Sequence, residues 1–422
     1  MAEDHALRHL LNDEIHGRAG HPVKAPARVV YLAYVVTESD PDPLSSISAL
    51  CDFYKSIRPQ DGALHYAMET PVGYFRYERH GEFYRFSIVL AKNVSEKLLS
   101  ELLPEHWLEN LPGNRLVAIN TNVLSKSAKP PSLNFIIKYF GHEDVAASAV
   151  SQRNATIWTD FRIGKDGFTR MLVRDYGLSP IRLGRILRRL HEIETYRMMA
   201  LLTLPLAREL QKQIGEREKL LSATINKMLV AGSAEDDAAL LTQLSSIAGD
   251  VEDMSNRSNY RFSAARAYTA LVRKRVEELA EERVLNYQRI GVFLDRRFGP
   301  AMATCSAVYD RISSLAQRSE RASNLLRTRV DIALEGQNQK LLKSMDTRVK
   351  QQVMLQQTVE GLSVVAISYY VVAMLTKFFE YTEKLFDVAP KYLLLISWML
   401  IPIVVLLVWF GLRRLRRRIN EY

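Results

Sequence analysis

Five residues near the end of the chain could line a path for ions. Small or polar side chains recur there at steps of three, four, three and four residues, with valine and leucine at positions between them. At about 100° per residue these steps place them on one face of a helix. Lipid satisfies no polar group, so this face must contact protein or water. It forms either a tight helix interface with a tyrosine hydrogen bond or the lining of a central pore. The five residues are Ser363, Ala366, Tyr370, Ala373 and Lys377.

Three carboxylates follow this face directly. The segment 378–391 (FFEYTEKLFDVAPK) contains Glu380, Glu383 and Asp387 together with two lysines. A ring of such acids from several copies could concentrate metal cations at a pore entrance. A loop that is merely soluble outside the membrane would have the same composition. The pore hypothesis assigns these three residues to its outer mouth.

A run of arginines provides a second candidate for binding chemistry. Arg182, Arg185, Arg188 and Arg189 make one helix face basic, which suits a phosphate-bearing ligand, an acidic partner segment or plain solvation. The chain contains no phosphate loop, dinucleotide fingerprint, zinc-binding His-Glu-x-x-His or nucleophile elbow. We therefore predict that it is not an enzyme, and we assign no catalytic, cofactor-binding or metal-ligating residue.

Two apolar segments predict membrane helices that would hold the five-residue face. Residues 392–412 are uncharged and long enough to cross a hydrocarbon core of about 30 Å. The run 361–376 is shorter, so its span would extend through Phe378 and Phe379, with Lys377 snorkelling. Positive charge beside a span marks the cytoplasmic side. We therefore predict a protein of the bacterial inner membrane with both termini cytoplasmic. Its predicted contacts with membrane lipid are Arg413, Arg414, Arg416, Arg417 and Arg418.

The N-terminal part of the chain predicts an α+β or α/β domain in the cytosol. Residues 28–36 (RVVYLAYVV) are β-branched and aromatic, as in a strand. Alternating polar and apolar residues predict hairpins over 74–90 and 154–174, the first turning at His80-Gly81. Short helical runs lie between them. This mixture is typical of a domain with a mixed or antiparallel sheet.

Helical periodicity takes over after Ser179-Pro180, which supplies a cap and a first-turn proline. Breaks at Gly232-Ser233 and Gly299-Pro300 then divide the chain into three long predicted helices, 180–231, 234–297 and 301–379. The predicted domains are the cytosolic mixed α/β domain (1–178), a long helical hairpin (179–300), a stalk helix (301–360), two transmembrane helices (361–412) and a basic cytosolic tail (413–422).

The net charge of +10 raises the question of nucleic acid. The terminal arginines account for much of this charge, and no basic stretch is interleaved with aromatic residues. We predict no nucleic-acid partner. The two cysteines, Cys51 and Cys305, lie far apart in the sequence and suit reduced thiols in the cytosol.

The order of these elements resembles the CorA family of magnesium transporters, which are funnel-shaped homopentamers. In that family the pore mouth carries Gly-Met-Asn, often followed by an aromatic and an acidic residue. The matching place here reads Thr376-Lys377-Phe378 and then Phe379-Glu380-Tyr381, so the flanking residues fit and the signature does not. The resemblance implies a CorA-like funnel and ion transport, without selectivity for magnesium.

The sequence more closely resembles a family of uncharacterised bacterial membrane-anchored proteins, a domain of unknown function. That resemblance implies an anchor and no activity. It is carried by Leu11–Arg18 (LNDEIHGR), Glu194–Glu209 (ETYRMMALLTLPLARE), Phe293–Cys305 (FLDRRFGPAMATC), Arg321–Met345 (RASNLLRTRVDIALEGQNQKLLKSM) and Leu355–Val372 (LQQTVEGLSVVAISYYVV).

Two functional hypotheses follow. In the first, the chain forms a homo-oligomer, a pentamer by the CorA resemblance, that conducts ions through the five-residue face. In the second, it is a non-conducting membrane-anchored scaffold or sensor whose cytosolic domain binds a ligand or partner, and the same face is only an assembly seam.

Overall fold

The computed structural model describes residues 4–5, 8, 12, 20–230, 232–386 and 390–419. The chain divides into two compact units. The first comprises Met1–Ala231 and Ala238–Ser323, and the second comprises Gly232–Asp237 and Asn324–Tyr422.

The first unit is built on a nine-stranded mixed sheet with the order β2-β3-β4-β1-β5-β8-β7-β6-β9. Neighbouring strands are antiparallel except β5 and β8, which run parallel. The strands are β1 (Ala27–Val35), β2 (His65–Thr70), β3 (Gly73–Arg79), β4 (Phe83–Leu90), β5 (Asn114–Leu124), β6 (Ala146–Val150), β7 (Ala155–Ile163), β8 (Thr169–Asp175) and β9 (Glu282–Arg283).

Alternation along β1 defines two faces of the sheet. Val30, Leu32 and Tyr34 belong to a buried apolar cluster on what we call the front face. Tyr31 points to the opposite, back face, where its hydroxyl contacts a helix. Both sets are almost fully buried, so the central strand is covered on both sides.

Three short helices cover the front face. Helix α1 (Pro43–Tyr54) begins at Asp42, whose carboxylate accepts from the Leu44 amide, and it packs with α2 (Leu99–Leu102) over strands β2, β3, β4 and β1. Helix α3 (Leu133–Phe140) begins at Ser132 and packs over β6, β7 and β8. These helices form two separate apolar cores on one face of the sheet.

Longer helices follow the sheet, as the sequence predicts. Helix α4 lies on the back face, where Thr195 and His191 contact strands β1 and β5. In chain order the remaining helices are α4 (Pro180–Leu201), α5 (Thr203–Val230), α6 (Ala234–Glu278), α7 (Ile290–Arg297), α8 (Gly299–Phe386) and α9 (Pro390–Ile419).

The second unit holds the later part of α8 together with α9. Asp237, at the start of α6, is buried and forms an ion pair of 3.3 Å with Arg329 of α8. Most side chains of α8 between 331 and 362 are exposed. Exposed apolar residues at these positions include Leu341, Met345 and Val349.

The prediction of two C-terminal transmembrane helices in a CorA-like funnel is wrong. Among the described residues, one helix is long and apolar enough to cross a membrane, and it is the α8 segment Gly299–Phe378. Only 6% of its most apolar stretch is buried. Within the described residues the second apolar stretch, Trp398–Gly411, is shorter than a span requires. The described residues therefore provide one candidate span where the sequence predicted two.

Candidate ligand-binding sites

A cleft on the front face lies between the two apolar cores. Its volume is about 610 Å³, within the range of small-molecule sites. The α1–α2 core reaches Ala118 of β5 and the α3 core reaches Leu124 of the same strand, so Asn120 and Asn122 between them belong to neither core. We call this space the front cleft. Its polar lining comes from Arg28, Lys92, Glu96, Asn120, Asn122 and Tyr139.

Two asparagines form the floor of the front cleft. Asn120 and Asn122 are two residues apart on β5, so both amides point to the same face. Arg28 is paired with Asn122 across the β1–β5 ladder. Its Nε donates to Asn120 Oδ1 at 3.0 Å, and its Nη1 donates to the carbonyls of Ser95 and Lys97, both at 2.8 Å. The guanidinium is therefore held in a fixed position beside both amides.

Tyr139 of α3 forms the wall of the front cleft. Burial raises the pKa of its hydroxyl to about 12, so the group stays protonated at neutral pH and can donate a hydrogen bond. The hydroxyl donates to the Met171 carbonyl at 3.4 Å and also interacts with the side chain of Asn122. The ring of Phe135, partly exposed, is stacked on Tyr139 at 6.0 Å. An aromatic wall beside amide, hydroxyl and guanidinium groups suits a small polar molecule.

A network of buried charges lies on the back face. Arg85 of β4, 4% exposed, donates to Glu78 of the neighbouring strand β3 and lies 3.2 Å from Glu192 Oε1 of α4. Glu192 also accepts from Arg188 at 2.7 Å and from Arg275 of α6 at 2.6 Å. These arginines overcome the burial of Glu192 and lower its pKa to about 2. The ion pairs therefore join the sheet to two helices.

His191 lies beside this network but is not charged. Burial and the nearby Arg85 lower its pKa to about 3. Its Nε2 is 2.9 Å from Thr121 Oγ1 of β5, and its ring is 4.8 Å from that of Tyr31. This neutral imidazole fixes the position of α4 on the sheet through hydrogen bonding and packing.

The predicted pore-lining residues all lie on α8. Ser363 is half-buried and donates to the Val359 carbonyl at 2.8 Å, and Ala373 is half-buried too. Ala366, Tyr370 and Lys377 are exposed. The assembly of these five side chains from several copies around a pore stays a prediction.

The predicted mouth and anchor residues lie partly outside the described residues. Glu380 is exposed near the end of α8, and Glu383 belongs to the same helix. Asp387 lies outside the described residues. Among the anchor arginines, Arg413 and Arg414 are exposed. The other three, Arg416, Arg417 and Arg418, belong to helix α9.

The arginine run on α4 splits into two kinds of residue. Arg182 and Arg185 are exposed, whereas Arg188 and Arg189 form ion pairs with Glu192 and with Glu278. Sequence reasoning missed the front cleft altogether. The signal that could have found it is the spacing of Asn120 and Asn122, two residues apart and therefore on one face of the strand NRLVAINTNVL.

The described residues contain no group of three or more His, Cys, Asp or Glu side chains placed to hold a metal ion. In comparisons with known proteins, the family DUF3422, described as a protein of unknown function, matches residues 3–419. No curated protein and no solved structure matches the chain. Because the family match covers nearly the whole length, the chain belongs to the DUF3422 family of proteins of unknown function.

Proposed function

We propose that the protein is a membrane-anchored sensor whose sheet domain binds a small polar ligand in the front cleft. One observation carries the proposal: Arg28, Asn120, Asn122 and Tyr139 converge on a space of about 610 Å³. Arg28 already donates to Asn120, and Tyr139 interacts with Asn122, so each amide is held in place. A ligand with hydrogen-bonding groups would pair with the polar atoms of these side chains that the protein leaves available in the cleft.

The chemistry of the lining narrows the class of ligand. Arg28 and Lys92 bring two positive charges and Glu96 brings one negative charge. The amides and the Tyr139 hydroxyl add neutral donors and acceptors. A small molecule with one carboxylate and further polar groups, such as an amino acid or hydroxy acid, fits this set. Phe135 and Leu172 supply apolar contact for its carbon skeleton.

The apolar segment of α8 supports the anchor. A core helix of a soluble protein buries its apolar residues, whereas only 6% of the most apolar stretch of α8 is buried. Exposed apolar surface of that extent needs lipid or protein around it. We propose that this segment enters the bacterial inner membrane and that the front cleft lies in the cytosol.

Copies of the chain are proposed to associate along α8. Leu341, Met345, Val349 and Val353 are exposed at steps of four residues. Such a stripe favours packing against the same helix of another copy. The ion-channel hypothesis stays a prediction, because none of the described contacts bears on conduction.

The proposal is tested by thermal unfolding of the full-length protein in detergent. A low-molecular-mass bacterial extract, fractionated by charge, is added to the wild type, to Asn122→Leu and to the matched control Asn114→Leu. Asn114 lies on the same strand but is exposed and does not line the front cleft. We expect a fraction of acidic metabolites to raise the melting temperature of the wild type and the control, and not of Asn122→Leu. Equal shifts in all three proteins, or none in any fraction, would refute the proposal.

A further inference from the structure

A second, smaller cavity lies on the back face of the sheet, on the opposite side from the front cleft. Its volume is about 60 Å³, which holds a few water molecules or one polyatomic ion. It is enclosed by strands β1, β3 and β4 on one side and by α4 on the other. We call it the back cavity. Its polar lining comes from His21, Arg76, Glu78, Arg85, Arg188 and His191.

Positive charge exceeds negative charge around the back cavity. Three arginines line it against the single carboxylate of Glu78. Glu192 contributes a second carboxylate and Arg275 a fourth guanidinium, so four guanidinium groups share two carboxylates. Glu278 and Arg189 add one charge of each sign and leave this excess unchanged. Buried charges of one sign favour a counter-ion.

The two histidines do not add to this excess. Burial and Arg76 lower the pKa of His21, and the pKa of His191 is about 3, so both rings are neutral at physiological pH. The carboxylate of Glu69 opposes this by raising the pKa of His21. Glu69 is exposed at the edge of the sheet, where solvent screens its charge. The excess charge near the cavity therefore comes from guanidinium groups.

Arg188 is placed to contact an ion in the back cavity. Its Nε donates to Glu192 at 2.7 Å, and its Nη2 lies 3.6 Å from Glu78 Oε2, too far for a hydrogen bond. A guanidinium has five N–H donors in a planar fork that matches two oxygens of one oxyanion. About one-fifth of the Arg188 side chain is exposed, so its guanidinium lies at the rim of the cavity.

The segment before β1 closes the back cavity on the helix side. The ring of His21 is stacked on that of Tyr74 at 3.4 Å. The carbonyl of His21 approaches α4 so closely that a Cβ at position 184 would lie 2.0 Å from it, which explains Gly184. The Val23 amide donates to the Pro180 carbonyl at 3.0 Å. These contacts hold His21 as a wall of the cavity.

We propose that the back cavity binds one small oxyanion of the size of phosphate, held by Arg188 and Arg76 above the buried guanidinium of Arg85. This site is independent of the front cleft, because the two lie on opposite faces of the sheet and share no lining residue. The bound ion would neutralise the excess charge where α4 meets the strands. The anion therefore stabilises the packing of α4 on the sheet.

The first test is a titration of the full-length protein in detergent with inorganic phosphate, sulfate, acetate and chloride at matched ionic strength. We expect phosphate and sulfate to raise the melting temperature to a plateau and chloride to have no saturable effect. Acetate tests the selectivity for a tetrahedral anion: a plateau with acetate equal to that with phosphate would contradict a site of the size and shape of phosphate. Identical curves in phosphate and chloride would overturn the proposal.

Variants then place the anion in the back cavity. Arg188→Gln should weaken phosphate binding at least tenfold by calorimetry, because it removes the charge and most of the donors. Glu192 keeps Arg85 and Arg275 as partners in this variant, so the fold should survive. The matched control is Arg185→Gln on the same helix, an exposed arginine that does not line the cavity. Equal weakening in both variants, or none in Arg188→Gln, would contradict the assignment. Arg76→Gln provides a second variant with the same expected loss.

Discussion

Nη2 of Arg85 on β4 lies 3.2 Å from Oε1 of Glu192 on α4, and this buried ion pair joins the sheet to the helix on its back face. Each is at most 4% exposed. Removing one member of such a pair leaves the other charged and buried, which is far more costly than losing an ion pair at the surface. The contribution of this pair to the free energy of unfolding should therefore be large enough to measure.

The first prediction concerns Arg85→Met. We expect a loss of about 3 kcal/mol in the free energy of unfolding, since Glu78 and Glu192 would each lose a buried partner but keep another arginine. The measurement is urea unfolding followed by circular dichroism. Arg153→Met is the control, because the Arg153–Glu282 pair is mostly exposed and should contribute less than about 1 kcal/mol. Similar losses in the two variants would show that the buried network adds nothing special.

The second prediction concerns pH and His191. The pKa of His191 is about 3 in the folded protein, lowered from a model-peptide value of 6.5. Between these two values the unfolded chain binds the proton and the folded protein does not, so the free energy of unfolding falls as pH decreases from about 6.5. His191→Gln should make this decline less steep. His106→Gln, at an exposed position, should leave it unchanged. An identical pH dependence in wild type and His191→Gln would contradict the buried neutral imidazole.

Protonation of Glu192 changes the free energy of unfolding at lower pH than protonation of His191 does. Its pKa is lowered to about 2 from 4.5, so its stabilising contribution is complete above about pH 4.5 and is lost as pH falls towards 2. Glu192→Gln should therefore lower the free energy of unfolding at neutral pH. The difference in this free energy between variant and wild type should become smaller as pH falls towards 2. The measurement is the unfolding free energy of both proteins between pH 2 and 7, since above about pH 4.5 the decline belongs to His191 and not to Glu192. A constant difference between the two proteins across this range would be inconsistent with the ion pairs.

The third prediction concerns the membrane anchor. A chain truncated after residue 360 should appear in the soluble fraction after cell lysis, whereas the full-length chain should resist a carbonate wash and dissolve only in detergent. The reason is that truncation removes the apolar segment of α8 that follows residue 360 and all of α9. A full-length chain released by carbonate alone would contradict the anchor. The truncated chain must keep a native circular dichroism spectrum for the comparison to hold.

The fourth prediction concerns association along α8. Met345→Glu should lower the mass measured by light scattering in detergent, because a charge in a buried seam is costly. Lys343→Glu, on an exposed polar position of the same segment, is the control and should leave the mass unchanged. A wild type that is monomeric at all concentrations would exclude the association.

Local patterns predicted the parts of the fold that depend on neighbours in sequence. The hairpin expected over 74–90 is confirmed as β3 and β4, because alternating apolar residues and a turn at His80-Gly81 specify it locally. The helix expected to start after Gly299-Pro300 is confirmed as α8. A single helix was expected over 180–231, but the structure breaks it at Leu202. Pro205 then lies in the first turn of α5, where a missing amide costs little.

Contacts between distant segments could not be predicted in the same way. A single helix was expected over 234–297, but α6 ends at Glu278 and Ala280 adopts a left-handed conformation. Strand β9 then pairs with β6, more than 130 residues earlier in the chain. The front cleft has the same origin, since it exists only where the cores of α1–α2 and of α3 stop short of each other. Asn120 and Asn122 gain their significance from that gap.

The most direct test of the ligand-binding proposal is hydrogen exchange of the full-length protein with and without the stabilising metabolite fraction. We predict slower exchange in strand β5 and helix α3, which line the front cleft, in the wild type and in Asn114→Leu. In Asn122→Leu the same segments should exchange at one rate under both conditions. Protection that is absent from β5 and α3, or equal in Asn122→Leu, would contradict a ligand in the front cleft.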